Sequence, residues 1–230
     1  MTQDIHTIIW DLDGTLMDTL EDLTISTNHA LRECGMPERT IGEVRQFVGN
    51  GVRKLMERAV PEGTAADMFE HCFDVFKAHY MVHCQDHTGL YPGIAETLRE
   101  LKARGLRMAV VSNKLQSGVD ELYRQFFADT IDVAIGEREG MQRKPAPDMV
   151  QLALQQLGTT REGAVYIGDS DVDVLTARNS QLSCISVLWG FRDEAFLREH
   201  GATCFAARPQ DIVQMVSLID TETENSTISN

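Results

Sequence analysis

The 230-residue sequence contains no apolar run approaching the roughly 20 residues that cross a bilayer. Its first ten residues, MTQDIHTIIW, lack the basic head and long apolar stretch of an export signal. Together these absences predict a soluble, cytoplasmic protein with no membrane partner. Basic excess is missing too: 21 Lys and Arg face 35 Asp and Glu, for a net charge of -14. A nucleic-acid binder needs a basic stripe to neutralise phosphates, so no nucleic-acid partner is expected. A small anionic substrate stays compatible with this charge, because local cations and a bound metal outweigh a distant field. The five cysteines, Cys34, Cys72, Cys84, Cys184 and Cys204, include no CxxC pair. Such a scattered, odd set predicts free thiols in a reducing compartment, and nothing in the spacing supports a zinc site. The sequon Asn225-Ser226-Thr227 is then a chance match.

What is present is a globular composition, 43% apolar, long enough for one large domain or one domain with an insertion. Short apolar runs recur at 6–10, 108–111, 131–135, 164–167, 184–188 and 203–205. Helical patterns lie between most of them. Ile94, Leu98 and Leu101 follow i, i+4, i+7, and Gly105 supplies a stop. The stretch 147–157 opens on Pro147 and ends at Gly158, while 193–200 is bracketed by Asp193 and Gly201. Continuous short strands alternating with helices predict an α/β fold, a Rossmann-like parallel sheet with helices on both faces.

Residues 20–86 break that rhythm and contain no strand pattern. Phe69, Cys72, Phe73, Phe76 and Tyr80 mark an amphipathic helix with an aromatic face. Leu20 and Leu23 begin another stripe, which the Thr27 hydroxyl interrupts and Ala30, Leu31 and Cys34 resume. The expected organisation is a core of 1–17 with 88–230 and an all-helical cap, 18–87, inserted after the first strand. A hinged lid is the functional reading of this insertion, and a passive helical layer is the structural one. The polar tail 220–230 is expected to fray.

Polar residues sit where strands end. Asp11 follows the first run, Ser112 and Asn113 follow MAVV, and Asp169 follows AVYIG, while Lys144 is read as opening the helix after DVAIG. Open parallel sheets bind ligands at the carboxyl ends of their strands. One Asp after a strand is ordinarily a helix cap, but three strands delivering polar groups to one edge describe a site. Asp11, Asp13, Asp169 and Asp173 converging there would repel one another unless a cation intervened. Hard carboxylate oxygens suit Mg2+. Asp169 and Asp173 are spaced i, i+4, so a helix starting near Ser170 puts both at its N-terminal end. Attraction to the helix dipole explains Asp171 well and Asp169, still on the strand end, poorly.

DLDGTL (11–16), SN (112–113), RKPAP around Lys144 and GDSDVD (168–173) together resemble the four motifs of the haloacid dehalogenase superfamily, in the family's order. The helical insertion resembles that superfamily's cap. The resemblance implies Asp11 as nucleophile, attacking phosphorus to form an aspartyl-phosphate. It implies Asp13 as the acid that protonates the leaving oxygen and then the base that activates water, a role carboxylate neighbours would favour. Ser112 and the Asn113 backbone would hold phosphoryl oxygens, and Lys144 with Mg2+ would offset negative charge. Asp11, the Asp13 carbonyl and Asp169 would bind the metal, with Asp173 as ligand or support. Dehalogenases of this superfamily lack an acid at the Asp13 position, so phosphoryl transfer is the implied chemistry.

Three further details resemble bacterial phosphoglycolate phosphatases: FVGNGVRKLMERA (47–59), SNK at motif two, and WGF (189–191). In the cap, Gly51 of the Gly49-Asn50-Gly51 loop would let backbone approach a substrate, and Arg53 is the candidate for a substrate carboxylate. Arg53 also reads as an ordinary solvated helix residue beside Lys54 and Arg58. The expected partner is a small phosphorylated metabolite, bound by a monomer or homodimer. Pyrophosphate, sugar phosphates and nucleotides are the alternative substrates, and a phosphosugar mutase the alternative reaction. A silent regulatory relative would show a broken motif, and none is broken.

Overall fold

The computed structural model describes residues 5–49 and 51–224, with side chains described as far as Val216. The chain divides into two compact units, Met1–Leu16 with Leu90–Asn230, and Met17–Gly89. In chain order the elements begin with β1 (Thr7–Trp10) and the two-residue strand β2 (Met17–Asp18). Four helices follow: α1 (Leu20–Glu33), α2 (Ile41–Phe47), α3 (Gly51–Ala59) and α4 (Ala66–His83). After β3 (Gly89–Leu90) come α5 (Ile94–Ala103), β4 (Arg107–Leu115), α6 (Gln116–Leu122) with a π-helical extension Tyr123–Phe127, and β5 (Val133–Glu137). The chain ends with α7 (Asp148–Leu157), β6 (Ala164–Gly168), α8 (Asp171–Asn179), β7 (Ser183–Val187), α9 (Glu194–Glu199), β8 (Phe205–Ala206) and α10 (Pro209–Glu224).

In the first unit six parallel strands run in the order β5-β4-β1-β6-β7-β8. β1 reads TIIW and is buried at every residue, as a strand covered on both faces must be. From β1 the chain goes first to β4 and β5 on one side, then returns to β6, β7 and β8 on the other. That reversal of direction beside β1 opens a crevice at the strands' carboxyl ends. Ile9, Val111, Ile135 and Tyr166 pack from the sheet against Met149, Ala153 and Leu157 of α7 and Ala177 of α8. α7 stops at Gly158, whose φ of 65° takes the left-handed turn that closes a helix. The α10 helix runs to Glu224, so the polar sequence from Asp220 continues a helix instead of fraying there. The rest of the tail, with the sequon, lies outside the described residues.

The second unit is helical, apart from the ribbon that β2 and β3 form. Its core joins Leu31, Val44, Leu55, Met56, Cys72 and Phe76. The interrupted stripe of α1 is continuous in space, because Thr27 is buried among its apolar neighbours. A capping box at Thr40 and Glu43 starts α2, each side chain satisfying the other's backbone N–H. The Asp22 carboxylate accepts from the N–H groups of His87 (3.0 and 3.1 Å) and Thr88 (2.8 Å), tying the start of α1 to the segment ahead of β3. None of the five cysteines is in a disulfide, and burial pushes the Cys72 thiol up to about 12. No helix among the described residues is long and apolar enough to cross a membrane.

Phe76 is fully buried, with its ring 5.4 Å from Tyr80 and 6.4 Å from Phe73. Phe76→Ala is expected to cost about 3–5 kcal/mol through lost burial and a cavity. Met81→Ala, at a site 81% exposed, should stay within about 0.5 kcal/mol of the parent. Denaturant titration of the two variants measures the contrast, and equal midpoints would contradict the packing described.

Candidate active site

Register brings the site together. Trp10 at the end of β1 lies opposite Val110 of β4 and Ile167 of β6. The Asp11 N–H then donates to the Ile167 carbonyl at 2.8 Å, holding Asp11 to the sheet one residue beyond its strand. Ser112 near the end of β4 and Asp169 just past β6 emerge at the same edge, both buried. Lys144 arrives from the loop after β5, four residues ahead of α7, and does not open that helix. Pro145 is the reason: the residue before a proline is held out of the helical region.

The Lys144 ammonium spends its three hydrogens inside the protein. Nζ donates to Asp11 Oδ1 at 2.6 Å, to Asp173 Oδ1 at 2.8 Å and to the Tyr166 hydroxyl at 3.0 Å. The Tyr166 hydroxyl passes its own hydrogen to Asp173 Oδ1 at 3.1 Å. Asp173 Oδ2 accepts from the Ser170 N–H at 3.1 Å and the Ser170 hydroxyl at 2.6 Å, so one carboxylate starts α8 and holds the lysine. Burial raises the Asp11 carboxyl well above its usual range, with Asp173 adding to the rise and Lys144 opposing it. Burial alone would lower Lys144, but Asp11 and Asp173 lift it above its ordinary value. The lysine therefore stays charged.

Asp169 is held from the other side. Its Oδ2 accepts from the Phe191 N–H at 2.7 Å and its Oδ1 from the Thr15 hydroxyl at 3.3 Å. Trp189 Nε1 donates to the Thr15 carbonyl at 2.9 Å, locking the WGF turn onto the DLDGTL turn. Two glycines make that approach possible. A Cβ on Gly14 (φ 91°) would lie 2.5 Å from Asp169 Oδ2, and one on Gly190 would lie 2.3 Å from Asp169 Cβ. Asp11, Asp169 and Asp173 each offer an oxygen within 4.8 Å of the others. Three buried hard oxygens this close, with one lysine between two of them, fit a divalent cation.

Asp13 stands outside that group. Its Oδ1 accepts from Lys114 Nζ at 2.9 Å, so its near neighbour is a cation and not the carboxylates expected from the sequence. Asp11 is thus paired with Lys144 and Asp13 with Lys114. Asn113 gains a role for its side chain. Its side-chain amide donates to the Lys144 carbonyl at 3.1 Å and accepts from the Lys144 N–H at 2.9 Å, clamping the loop that carries the lysine. The Ser112 hydroxyl accepts from the Lys114 N–H at 3.1 Å.

Gly51 and Arg53 belong to the helical unit. Gly51 begins α3 with φ 86°, and Asn50 lies outside the described residues. Arg53 forms a bidentate pair with Glu70 at 2.8 and 2.9 Å. Its guanidinium lies over the Phe73 ring at 4.6 Å and the Phe69 ring at 5.4 Å.

The profile of the haloacid dehalogenase-like hydrolases matches residues 8–187. The chain belongs to the haloacid dehalogenase-like hydrolase family. It is 31% identical over 218 residues to the phosphoglycolate phosphatase of Aquifex aeolicus (strain VF5), spanning 92% of this chain and 97% of that protein. The phosphoglycolate phosphatase of Nitrosococcus oceani is also 31% identical over 218 residues, with 93% of each chain covered. A solved structure of a candidate phosphoglycolate phosphatase from Lactobacillus delbrueckii subsp. bulgaricus superposes with a TM-score of 0.88 at 35% identity, over 93% of this chain and 98% of that one. This family member is an enzyme, a hydrolase similar to phosphatases.

Sequence reasoning assigned no role to Tyr166, Lys114 or Thr15. Tyr166 is the one hydroxyl in the run AVYIG, a signal that a buried polar partner waits nearby.

Burial and Asp173 push Asp169 up to about 7 in the metal-free protein. The unfolded chain releases that proton near about 3.9, so the folded state holds more protons between the two values. That contribution to stability is complete below about pH 4 and is lost as pH rises through about 7. A divalent cation held by this carboxylate would take the place of the proton, so its stabilising effect would grow over the same window. Thermal melts with EDTA and with Mg2+ are expected to diverge more at pH 8 than at pH 5. An equal gap at both values would contradict the linkage.

Proposed function

We propose that this hydrolase is a Mg2+-dependent phosphomonoesterase acting through an aspartyl-phosphate on Asp11, with 2-phosphoglycolate as its substrate. The observation that carries this reading is the pairing of two aspartates, one residue apart, with different partners: Asp11 with Lys144, and Asp13 with Lys114. Lys144 sets positive charge against Asp11 and aims one oxygen, while the other is left to approach phosphorus, and a bound cation would add to the charge that favours the ionised nucleophile. Asp13, two residues on, gives a proton to the leaving oxygen in the first step. In the second it takes one from the water that cleaves the acyl-phosphate. The Ser112 hydroxyl and backbone N–H groups at 112–113 hold the phosphoryl oxygens while their charge redistributes. Asp11, Asp169 and the Asp13 carbonyl would hold Mg2+, with Asp173 supporting Lys144 beside them. When bound, the cation supplies positive charge against the phosphoryl oxygens. The choice of 2-phosphoglycolate is supported by the relatives of that name at about one-third identity over most of the chain.

Phosphate release from a panel of 2-phosphoglycolate, pyrophosphate, hexose phosphates and nucleotides tests the reading. The expected result is metal-dependent release with 2-phosphoglycolate ahead, and phosphosugar conversion without release would establish a mutase instead. Asp11→Asn should lower turnover by roughly a thousandfold or more, as loss of a nucleophile does. Asp13→Asn should lower it by about 10²–10⁴ while metal binding is kept. Ordinary turnover in Asp11→Asn would end the covalent mechanism.

A further inference from the structure

We propose that Lys114 recognises an anionic group on the leaving side of the ester, which makes it a substrate-specificity residue. The inference rests on the phosphomonoesterase reading and deepens it. Arg53, the cation first considered for a substrate carboxylate, is committed to Glu70 through both terminal nitrogens and lies across two aromatic rings. In the sheet unit Lys144 is enclosed, with 4% of its side chain exposed and its hydrogens spent on Asp11, Asp173 and Tyr166. Arg192 lies 3.9 Å from Asp171 and over the Phe196 ring. Lys114 differs from all three, because its ammonium reaches the residue assigned to the leaving oxygen, at 2.9 Å from Asp13 Oδ1.

Local structure fixes that reach. The Lys114 N–H bonds back to the Ser112 hydroxyl, so the two residues turn together at the end of β4. The stem of Lys114 then passes over Gly118 in α6, its Cγ and Cδ lying 3.5 Å from where a Cβ would stand. An ester oxygen receiving a proton from Asp13 sits roughly 2.6–3.2 Å from that carboxyl. In 2-phosphoglycolate the carboxylate is attached to the carbon that bears this oxygen, so it enters the space that the Lys114 ammonium already shares with Asp13. Pyrophosphate offers the same chemistry, a charged group next to the bridging oxygen. An uncharged alkyl leaving group offers none.

The test compares kcat and KM for 2-phosphoglycolate, pyrophosphate and ethyl phosphate in the full-length enzyme with Mg2+, in parent, Lys114→Met and Lys114→Arg. Ethyl phosphate matches 2-phosphoglycolate in length and lacks the carboxylate. Loss of a charged hydrogen bond predicts that Lys114→Met lowers the kcat/KM preference for 2-phosphoglycolate over ethyl phosphate by about ten- to hundredfold, chiefly through KM. Lys114→Arg is expected to keep most of that preference. The thermal melting midpoint of each variant serves as the folding control. An equal fall on both esters would show that Lys114 acts only through Asp13, and an unchanged ratio would show no contact; either overturns the proposal. If pyrophosphate alone loses its preference, the anion site stands and the glycolate substrate falls. A parent enzyme that hydrolyses none of the three sinks the phosphatase reading itself.

Discussion

A lysine ammonium almost sealed from water, held by two carboxylates and a phenol, is the interaction on which the catalytic edge depends. A buried charge is tolerated only when its hydrogen bonds are complete, and removing one partner strands the others at a cost of several kcal/mol. Lys144 meets that condition through Asp11, Asp173 and Tyr166, which arrive from three separate parts of the sheet unit. The need to satisfy one cation therefore sets the mutual positions of β1, β6 and α8 at their active ends. It also sets a positive charge against Asp11, whose carboxyl is raised by burial well above its usual range.

Much of the surrounding structure exists to hold that lysine and the acidic cluster in place. Asp173 serves both as the first-turn partner of Ser170 and as the seat of Lys144, so helix initiation and site assembly are one event. Asn113, beside the buried Ser112, grips the lysine's backbone from the end of β4. On the far side the WGF turn closes against Asp169 through a backbone N–H, an approach possible only because residues 14 and 190 have no side chain. The carboxylates are thus fixed before any ligand arrives. Preorganisation of this kind lets charged groups act on a transition state without rearranging.

The strands and the polar residues that end them were legible because a parallel sheet writes itself locally, as continuous apolar runs followed by a change of chemistry. Asp11, Ser112 and Asp169 each stand at such a change. The partners of those residues were not legible, since they are set by tertiary contact. Tyr166 sits inside an apolar run and reads as core, although its hydroxyl lies 3.0 Å from a lysine 22 positions away. Asn113 reads as a backbone contact, although its side chain bonds to a residue 31 positions on. The partner of Asp13 could not be inferred from its neighbours in sequence, because it comes from a residue 101 positions away on β4. The two-residue strands β2 and β3 carry too few residues for any periodicity, and α10 ends in sequence that reads as a polar tail.

One short motif thus divides its chemistry by direction. Asp11 pairs with an enclosed lysine as the proposed nucleophile, while Asp13 pairs with a more accessible lysine as the proposed acid and base for the leaving group. Rapid acid quench of excess enzyme with 2-phosphoglycolate and Mg2+, followed by mass spectrometry of the peptide containing Asp11, examines this division most directly. The account predicts a phosphoryl adduct on Asp11 that forms before free phosphate and decays as phosphate appears. Free phosphate released without any adduct on Asp11, or with an adduct on another residue, would contradict it.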